Sequence, residues 1–308
     1  MRAAIDAGHE VLNLDIRPPS IAEHRAHWNE LDIMNAVELA TAVREFAPQW
    51  VVHLAARTDC VETTTVEEGY QVNTIGTENV LAAVRSCPAV ERSIITSTQF
   101  VFNRGAELPA HDEDYFPHTV YGQSKVISEQ VTRAARLSST WTIVRPTNVW
   151  GPWHLRQRDN FFYALERGLY VHPGRAPVRR SYGYVGNVVH QMLAILAAPR
   201  ADVHGRVLYL GDRPIELLDW VDAFSLRLRG TPVRVAPAAV LNVLGRIGDG
   251  ISRITGKPFL ITSSRFNSMT QPYLVPMEPT LQLLGEPPFT LEQGVDATAR
   301  WLRDPRSW

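Results

Sequence analysis

A tyrosine and a lysine four residues apart form the part of this sequence that is best suited to chemistry. Tyr121 and Lys125 stand in the segment Y-G-Q-S-K, and an apolar run that ends in T-S-T at Thr98 precedes them. Side chains four residues apart on a helix share one face. Tyrosine, with a pKa of about 10, is a poor base at neutral pH, but a neighbouring ammonium group favours its phenolate. With the Thr98 hydroxyl, the pair could transfer a proton to or from an alcohol or a carbonyl compound.

Short apolar segments alternate with helical patterns around these residues. This alternation predicts an α/β fold with a parallel, doubly wound sheet. The amino-acid composition changes after Pro146, where proline and glycine become more frequent. The predicted strands are Val11–Asp15, Trp50–Leu54, Arg92–Ser97, Thr140–Arg145 and Val207–Leu210. The predicted helices are Ala36–Phe46, Asn73–Val84, Tyr121–Leu137, Val185–Ala198 and Leu291–Leu302.

The composition is that of an ordinary globular protein. The chain has 308 residues, of which 45% are hydrophobic and 20% charged, with a net charge of −1. We see no basic stripe for nucleic acid and no basic amphipathic stretch for a membrane surface. The apolar runs are too short to span a bilayer and there is no signal peptide, so we expect a cytoplasmic protein. The two cysteines form no disulfide framework. His24 and His27 have no third ligand nearby, so we expect no metal.

Four further segments accompany the tyrosine and lysine in a fixed order. They are H-L-A-A at 53–56, N-T-I-G-T-E-N at 73–79, R-P-T-N-V-W-G-P at 145–152 and R-S-Y-G-Y-V-G-N at 180–187. Together these motifs resemble the extended short-chain dehydrogenase/reductase family, in its NAD-dependent epimerase/dehydratase group. The resemblance implies a Rossmann-type dinucleotide-binding domain at 1–148, to which 183–211 return. It also implies a smaller substrate-binding domain formed by 149–182 and 212–308, and a homodimer.

The resemblance assigns roles to individual residues. Tyr121 is the acid/base, Lys125 holds the cofactor ribose and the ionised tyrosine, and Thr98 bridges the substrate hydroxyl. Asp15 would bind the adenosine ribose, which favours NAD, although Arg17 leaves NADP open. The other implied cofactor contacts are Asp32, Ile33, Leu54, Ala55, Ala56 and Asn73. For Asp32, a cap of the following helix is an equal alternative.

The residues after Thr98 limit the reaction. Sugar-nucleotide dehydratases of this family carry carboxylates where this chain has Gln99 and Phe100. An amide and a phenyl ring cannot transfer protons, so dehydration and decarboxylation are disfavoured. We therefore expect an NAD-dependent epimerase that acts on a nucleotide-activated sugar through a transient keto intermediate. A dehydrogenase or reductase of another alcohol, steroid-like or lignin-derived, is the alternative, as is a non-catalytic NAD(P)-binding protein.

Candidate substrate contacts follow from the same resemblance. Asn148, Asn160 and Arg180 fall where the family holds the base and diphosphate of a nucleotide sugar. Arg179 adds a second cation, and a pair of arginines suits a diphosphate. The alternative is that both arginines are surface residues that flank a strand.

The segment before Asp15 lacks the glycine loop that the family uses for pyrophosphate. A Rossmann fingerprint places G-x-G-x-x-G about 20 residues before the ribose acid, and Gly8 is the only glycine there. We expect that the first strand, the loop and the start of the first helix are missing, because the start was assigned too late. A chain that has lost cofactor binding is the alternative. In either case we expect weak dinucleotide binding, since the loop amides hold the pyrophosphate.

Overall fold

The computed structural model describes residues 1–102, 108–256 and 261–305. The strands are β1 Asn13–Asp15, β2 Trp28–Glu30, β3 Trp50–His53, β4 Arg92–Thr96, β5 Thr140–Pro146, β6 Asn148–Trp150, β7 Val171–Pro173, β8 Arg179–Arg180, β9 Tyr182–Tyr184, β10 Val207–Leu210, β11 Ile215–Glu216 and β12 Arg234–Ala236. The helices are α1 Arg2–Asp6, α2 Ala36–Phe46, α3 Val66–Gly69, α4 Gln71–Ser86, α5 Val120–Ala134, α6 Leu155–Gln157, α7 Tyr163–Glu166, α8 Val185–Ala197, α9 Arg200–Val203, α10 Leu217–Arg229, α11 Ala238–Thr255, α12 Ser263–Thr270, α13 Glu278–Leu284 and α14 Leu291–Arg303.

A four-stranded parallel sheet forms the centre of the fold, in the order β10-β5-β4-β3. Its strands are largely buried, as expected where helices cover both faces of a parallel sheet. Neighbouring residues of β4 show this, since Ile95 packs in the cluster with α2 and α4, whereas Ile94 packs in the cluster with α8. The predicted Rossmann-type α/β fold is confirmed.

The first two strands form a separate parallel pair, β1-β2. Among the described residues, the only strand that pairs with β1 is β2, and the only strand that pairs with β3 is β4. A doubly wound sheet in the usual order would place one more strand between these two edges. The expectation that this strand and its glycine loop are missing stays a prediction.

The C-terminal part packs around an aromatic cluster. Trp150, Phe162, Trp220 and Phe224 form its centre. Helix α14 approaches closely, because a Cβ on Gly294 would lie 2.5 Å from the Trp150 ring. The predicted division into two domains stays a prediction.

Candidate active site

The turn after β4 and the first turn of α5 are built to lie close together. The Thr98 side chain accepts a hydrogen bond from the Phe100 N–H at 3.3 Å, and Thr119 caps α5 by accepting from the Gly122 N–H at 2.9 Å. A Cβ on Gly122 would lie 2.4 Å from the Phe100 carbonyl oxygen. Only glycine therefore allows α5 to approach this turn, and the approach brings Tyr121 to Thr98.

The three predicted catalytic residues meet at this corner. Tyr121 and Lys125 are 7% and 2% exposed, on the buried face of α5. The Thr98 side chain is hydrogen-bonded to the Tyr121 phenol. The spacing in the sequence thus gives a buried phenol and a buried amine on one face of α5, with the Thr98 hydroxyl beside the phenol.

Burial governs the ionisation of this pair. It raises the pKa of Tyr121 to about 12, and the hydrogen bond with Thr98 opposes that rise. It also lowers the pKa of Lys125 to about 8, against the charge of Glu129. The sequence predicted a phenol pKa lowered by Lys125. The structure differs because removal of water disfavours both charged forms.

A buried ion pair lies one helical turn beyond Lys125. Glu129 is fully buried, and its carboxylate accepts hydrogen bonds from the Arg145 guanidinium at 2.8 and 2.7 Å. The Tyr115 hydroxyl donates a third at 3.0 Å. This pair was not predicted from the sequence, although a glutamate four residues after Lys125 was a signal. The pair fixes α5 to β5 and places a negative charge near the lysine.

A neutral histidine lies at the end of β3. The Nε2 of His53 is 3.1 Å from the Thr77 hydroxyl, and the ring is 4% exposed. Burial, followed by the charge of Lys125, lowers the pKa of His53 to about 3. His53 is therefore neutral at physiological pH.

The predicted cofactor residue Asn73 is used within the protein. Its Oδ1 accepts from the Arg57 N–H at 2.8 Å, while its Nδ2 donates to the Arg57 carbonyl and to Ser124 Oγ at 3.0 and 2.9 Å. The side chain thus fixes the loop after β3 to α5. In that loop, Leu54 is exposed and both Ala55 and Ala56 are half-buried.

Two predicted cofactor carboxylates lie on the surface. Asp15 ends β1 and accepts from the Arg17 N–H at 2.8 Å, and Asp32 accepts from a backbone N–H two residues later. The cap of α2 is Asn35, so the alternative role of Asp32 as the cap is wrong. Ile33 is buried in the core.

These residues fit one part of a dinucleotide. An exposed carboxylate at the end of a parallel strand suits ribose hydroxyls, and Asp15 supplies one. Lys125 and Tyr121 would hold the nicotinamide end. The described residues before Asp15 contain no glycine-rich loop for the pyrophosphate, and α1 has five residues.

The predicted pair of arginines does not converge. Neighbouring residues of a strand point to opposite faces, so Arg180 is buried while Arg179 is exposed. Arg180 donates to the Ser268 carbonyl on α12, and Arg179 to the Pro214 carbonyl at 3.2 Å. The expectation that both bind one diphosphate is therefore wrong for the chain as described.

The two predicted asparagines lie on different elements. Asn160 is exposed in a helical turn and donates to the Arg156 carbonyl at 2.9 Å, and Asn148 is half-buried in β6.

Two aromatic rings, those of Phe100 and Tyr273, form a wall beside Tyr121. Phe100 meets the Tyr121 ring edge-on, with centroids 6.2 Å apart, and stacks on Tyr273 at 6.1 Å. Gln99 is 1% exposed, and its amide has no hydrogen-bond partner among the described residues. The sequence analysis missed Tyr273, which reaches this wall from 173 positions beyond Phe100 and carries no local signal.

A cavity lies away from the predicted catalytic residues. It has a volume of about 270 Å³, and its lining includes Trp150, Trp220, Phe289 and Asp212 but none of the predicted catalytic residues. Burial raises the pKa of Asp212 to about 6. Its oxygens accept from the Tyr184 N–H and from Asn187, both at 2.7 Å, so this carboxylate has a structural role.

A doubly wound parallel sheet, with a hydroxyl after β4 and a tyrosine–lysine pair on α5, defines a short-chain dehydrogenase/reductase. The model of the NAD dependent epimerase/dehydratase family matches residues 1–211. The chain belongs to this family and is an NAD-dependent enzyme of the epimerase/oxidoreductase type.

Known proteins extend this result. The chain is 27% identical to 2-alkyl-3-oxoalkanoate reductase of Stenotrophomonas maltophilia, over 96% of this chain and 92% of the relative. It is 28% identical to N-acetyl-alpha-D-glucosaminyl-diphospho-ditrans,octacis-undecaprenol 4-epimerase of Escherichia coli O157:H7, over 75% and 71%. UDP-glucuronic acid 4-epimerase of Bacillus cereus, solved with UDP-glucuronic acid and NAD, has a TM-score of 0.72 at 17% identity, over 99% of this chain and 94% of that one. That last likeness shows the fold.

Proposed function

We propose that this protein is an NAD-dependent epimerase that acts on a nucleotide-activated sugar through a transient keto intermediate. The observation that carries the proposal is the buried corner where Thr98, Tyr121 and Lys125 meet, with Gln99 and Phe100 beside it instead of carboxylates. Such a corner can exchange one proton and one hydride but cannot eliminate water. The 4-epimerase among the relatives performs this class of reaction.

In the proposed reaction, the protein itself needs only Tyr121, Lys125 and Thr98 to move the proton. The Tyr121 phenolate accepts the proton of the substrate hydroxyl, and the hydride leaves the same carbon, which becomes a ketone. Bound NAD would supply the hydride acceptor. After the keto intermediate rotates within the site, the hydride would return to the opposite face of the carbonyl carbon. Tyr121 would then return the proton to the oxygen. Because burial raises the pKa of Tyr121 to about 12, the Lys125 ammonium would have to offset part of that burial for the phenolate to form. Thr98 would donate a hydrogen bond to the reacting oxygen.

The remaining assignments belong to the same proposal. Asp15 would accept the ribose hydroxyls, so NAD would be preferred over NADP. Arg180, Asn148 and Asn160 would contact substrate only if binding rearranges their present contacts. We also propose a homodimer located in the cytoplasm.

The proposed reaction is tested by whether a deuterium label on the reacting carbon is retained in the product. A panel of nucleotide sugars is prepared with deuterium on the carbon that carries the reacting hydroxyl, and products are followed by NMR with NAD in large excess, since weak dinucleotide binding is expected. We expect the epimer to form with its deuterium retained and with no net change in NAD. Exchange of the label with water, loss of water or no turnover across the panel would refute the proposal.

A reductase of a hydrophobic ketone is the second candidate. It is favoured by the aromatic wall of Phe100 and Tyr273 beside Tyr121 and by the divergence of the two arginines. The Stenotrophomonas maltophilia relative covers nearly the whole chain and is named as a reductase. This candidate predicts that a 2-alkyl-3-oxoalkanoate consumes one NADH or NADPH per hydroxyl formed, whereas an epimerase consumes none.

A further inference from the structure

Helix α11 displays a row of apolar side chains on the surface. Six residues are exposed by 37–87% at spacings of three, four and seven, which place them on one face of the helix. We call this set the α11 stripe: Val240, Val243, Leu244, Ile247, Ile251 and Ile254.

The opposite face of α11 is fixed to the protein. Leu241, Gly245 and Gly248 are buried. A Cβ on Gly245 would lie 3.2 Å from the backbone at Thr262 and Ser263, so α11 packs closely on the start of α12. The orientation of the helix is thus set by packing, and the stripe faces outward as a result.

The charges of α11 are distributed unevenly about the stripe. Arg246 and Arg253, seven residues apart, are both exposed along one edge of it. Asp249 is the only acidic residue in the α11 sequence. It is half-buried, and its Oδ1 accepts from the Ser263 N–H at 3.2 Å, on the side of α12. The exposed face of the helix therefore combines an apolar centre with a cationic edge.

We propose that the α11 stripe docks this protein on the surface of an anionic phospholipid bilayer, with α11 parallel to the membrane plane. A helix with an apolar face and cations on its polar side binds in this way, and each cation near an anionic surface adds attraction. With 18 residues, α11 is about 27 Å long. Among the described residues, no helix is long and apolar enough to cross a membrane.

A second copy of the chain is the competing occupant, and the area argues against it. The stripe presents on the order of 500 Å², whereas each partner in a standard interface buries about 800 Å². The proposal departs from the sequence-based expectation of no membrane partner, which considered cation content and not the exposed face of one helix. It does not depend on the proposed reaction.

Vesicle co-sedimentation of the whole chain tests this proposal. The vesicles are phosphatidylcholine mixed with phosphatidylglycerol, or phosphatidylcholine alone. We expect the protein to sediment with the anionic vesicles, and the double substitution Ile247→Gln/Ile254→Gln to lower the partition coefficient at least tenfold. Arg246→Gln/Arg253→Gln should lower it about thirtyfold on the anionic vesicles, since each charge near the surface contributes about 1 kcal/mol, and should have little effect on neutral ones.

The matched control removes two exposed apolar side chains elsewhere. Val37→Gln/Leu226→Gln changes residues of α2 and α10 that are 79% and 51% exposed, and it should leave partition unchanged. Circular dichroism should show the same melting temperature for all variants. The proposal is overturned if the unsubstituted protein stays in solution or if the control loses as much binding as the stripe variant. It is also overturned if sedimentation velocity shows a dimer that the stripe substitutions dissociate while vesicles bind nothing.

Discussion

The corner between β4 and α5 and the region around β8 and α12 are built in different ways. At the corner, a helix of regular spacing places Tyr121 and Lys125 on one buried face, and Glu129 continues that face. Around β8, the predicted ligands Arg179 and Arg180 point to opposite sides, and each donates to a carbonyl of the protein. A motif on one helix therefore fixes a geometry, whereas residues on separate short elements do not.

The largest expected effect concerns the scaffold of the corner. Glu129→Gln leaves the buried Arg145 without its carboxylate, and breaking a buried ion pair costs about 3–5 kcal/mol. Glu286→Gln is the control, because the pair of Glu286 with Arg213 is exposed and solvent screening leaves it little effect on stability. Urea unfolding at pH 7 measures both. Equal losses of unfolding free energy would mean that the buried pair does not hold the corner.

A smaller effect is expected where α5 meets the turn after β4. Gly122→Ala places a Cβ 2.4 Å from the Phe100 carbonyl oxygen, and such overpacking costs about 1–3 kcal/mol. In the helical control Gly250→Ala, the new Cβ meets nothing within 4 Å, so stability should rise by about 0.5–1 kcal/mol. Thermal unfolding separates the two signs. A neutral Gly122→Ala would show that the close approach is not required.

Acid should weaken the same corner through His53. Its folded pKa of about 3 lies below the ordinary value of 6.5, so between these values the unfolded chain binds the extra proton. Stability from this group is complete above pH 6.5 and falls by about 1.4 kcal/mol for each pH unit below it. His53→Gln should flatten this slope between pH 6.5 and 4 in urea titrations. An unchanged slope would assign the acid sensitivity to other groups.

Sequence periodicity predicted several elements well, with most boundaries within two residues of the observed ones and the end of α5 three residues away. Helix α2 and strand β10 have the predicted bounds. Helix α5 ends at Ala134, before the predicted Leu137, because Arg136 adopts a left-handed φ of 46°. No local pattern predicts that turn. Thr98, Tyr121 and Lys125 could be predicted because a local pattern does exist for them. Their placement follows from spacing along one helix and from the end of the adjacent strand.

The features that could not be predicted from the sequence depend on contacts between distant segments. The opposed directions of Arg179 and Arg180 could have been predicted from strand alternation, but the contact of Arg180 with α12 could not. The Phe100–Tyr273 stack joins residues far apart in the chain. The periodicity of α11 is readable in the sequence, but which face the protein covers depends on where α12 packs.

The most direct test of the central claim, that Tyr121 is the acid/base of the corner, is the turnover of Tyr121→Phe with a substrate that the unsubstituted protein epimerises. Tyr163→Phe, which alters an exposed phenol, is the control. We predict that Tyr121→Phe lowers turnover by at least about 100-fold, the effect typical of losing general acid/base catalysis, with unchanged circular dichroism. Near-normal turnover by folded Tyr121→Phe protein would contradict the account.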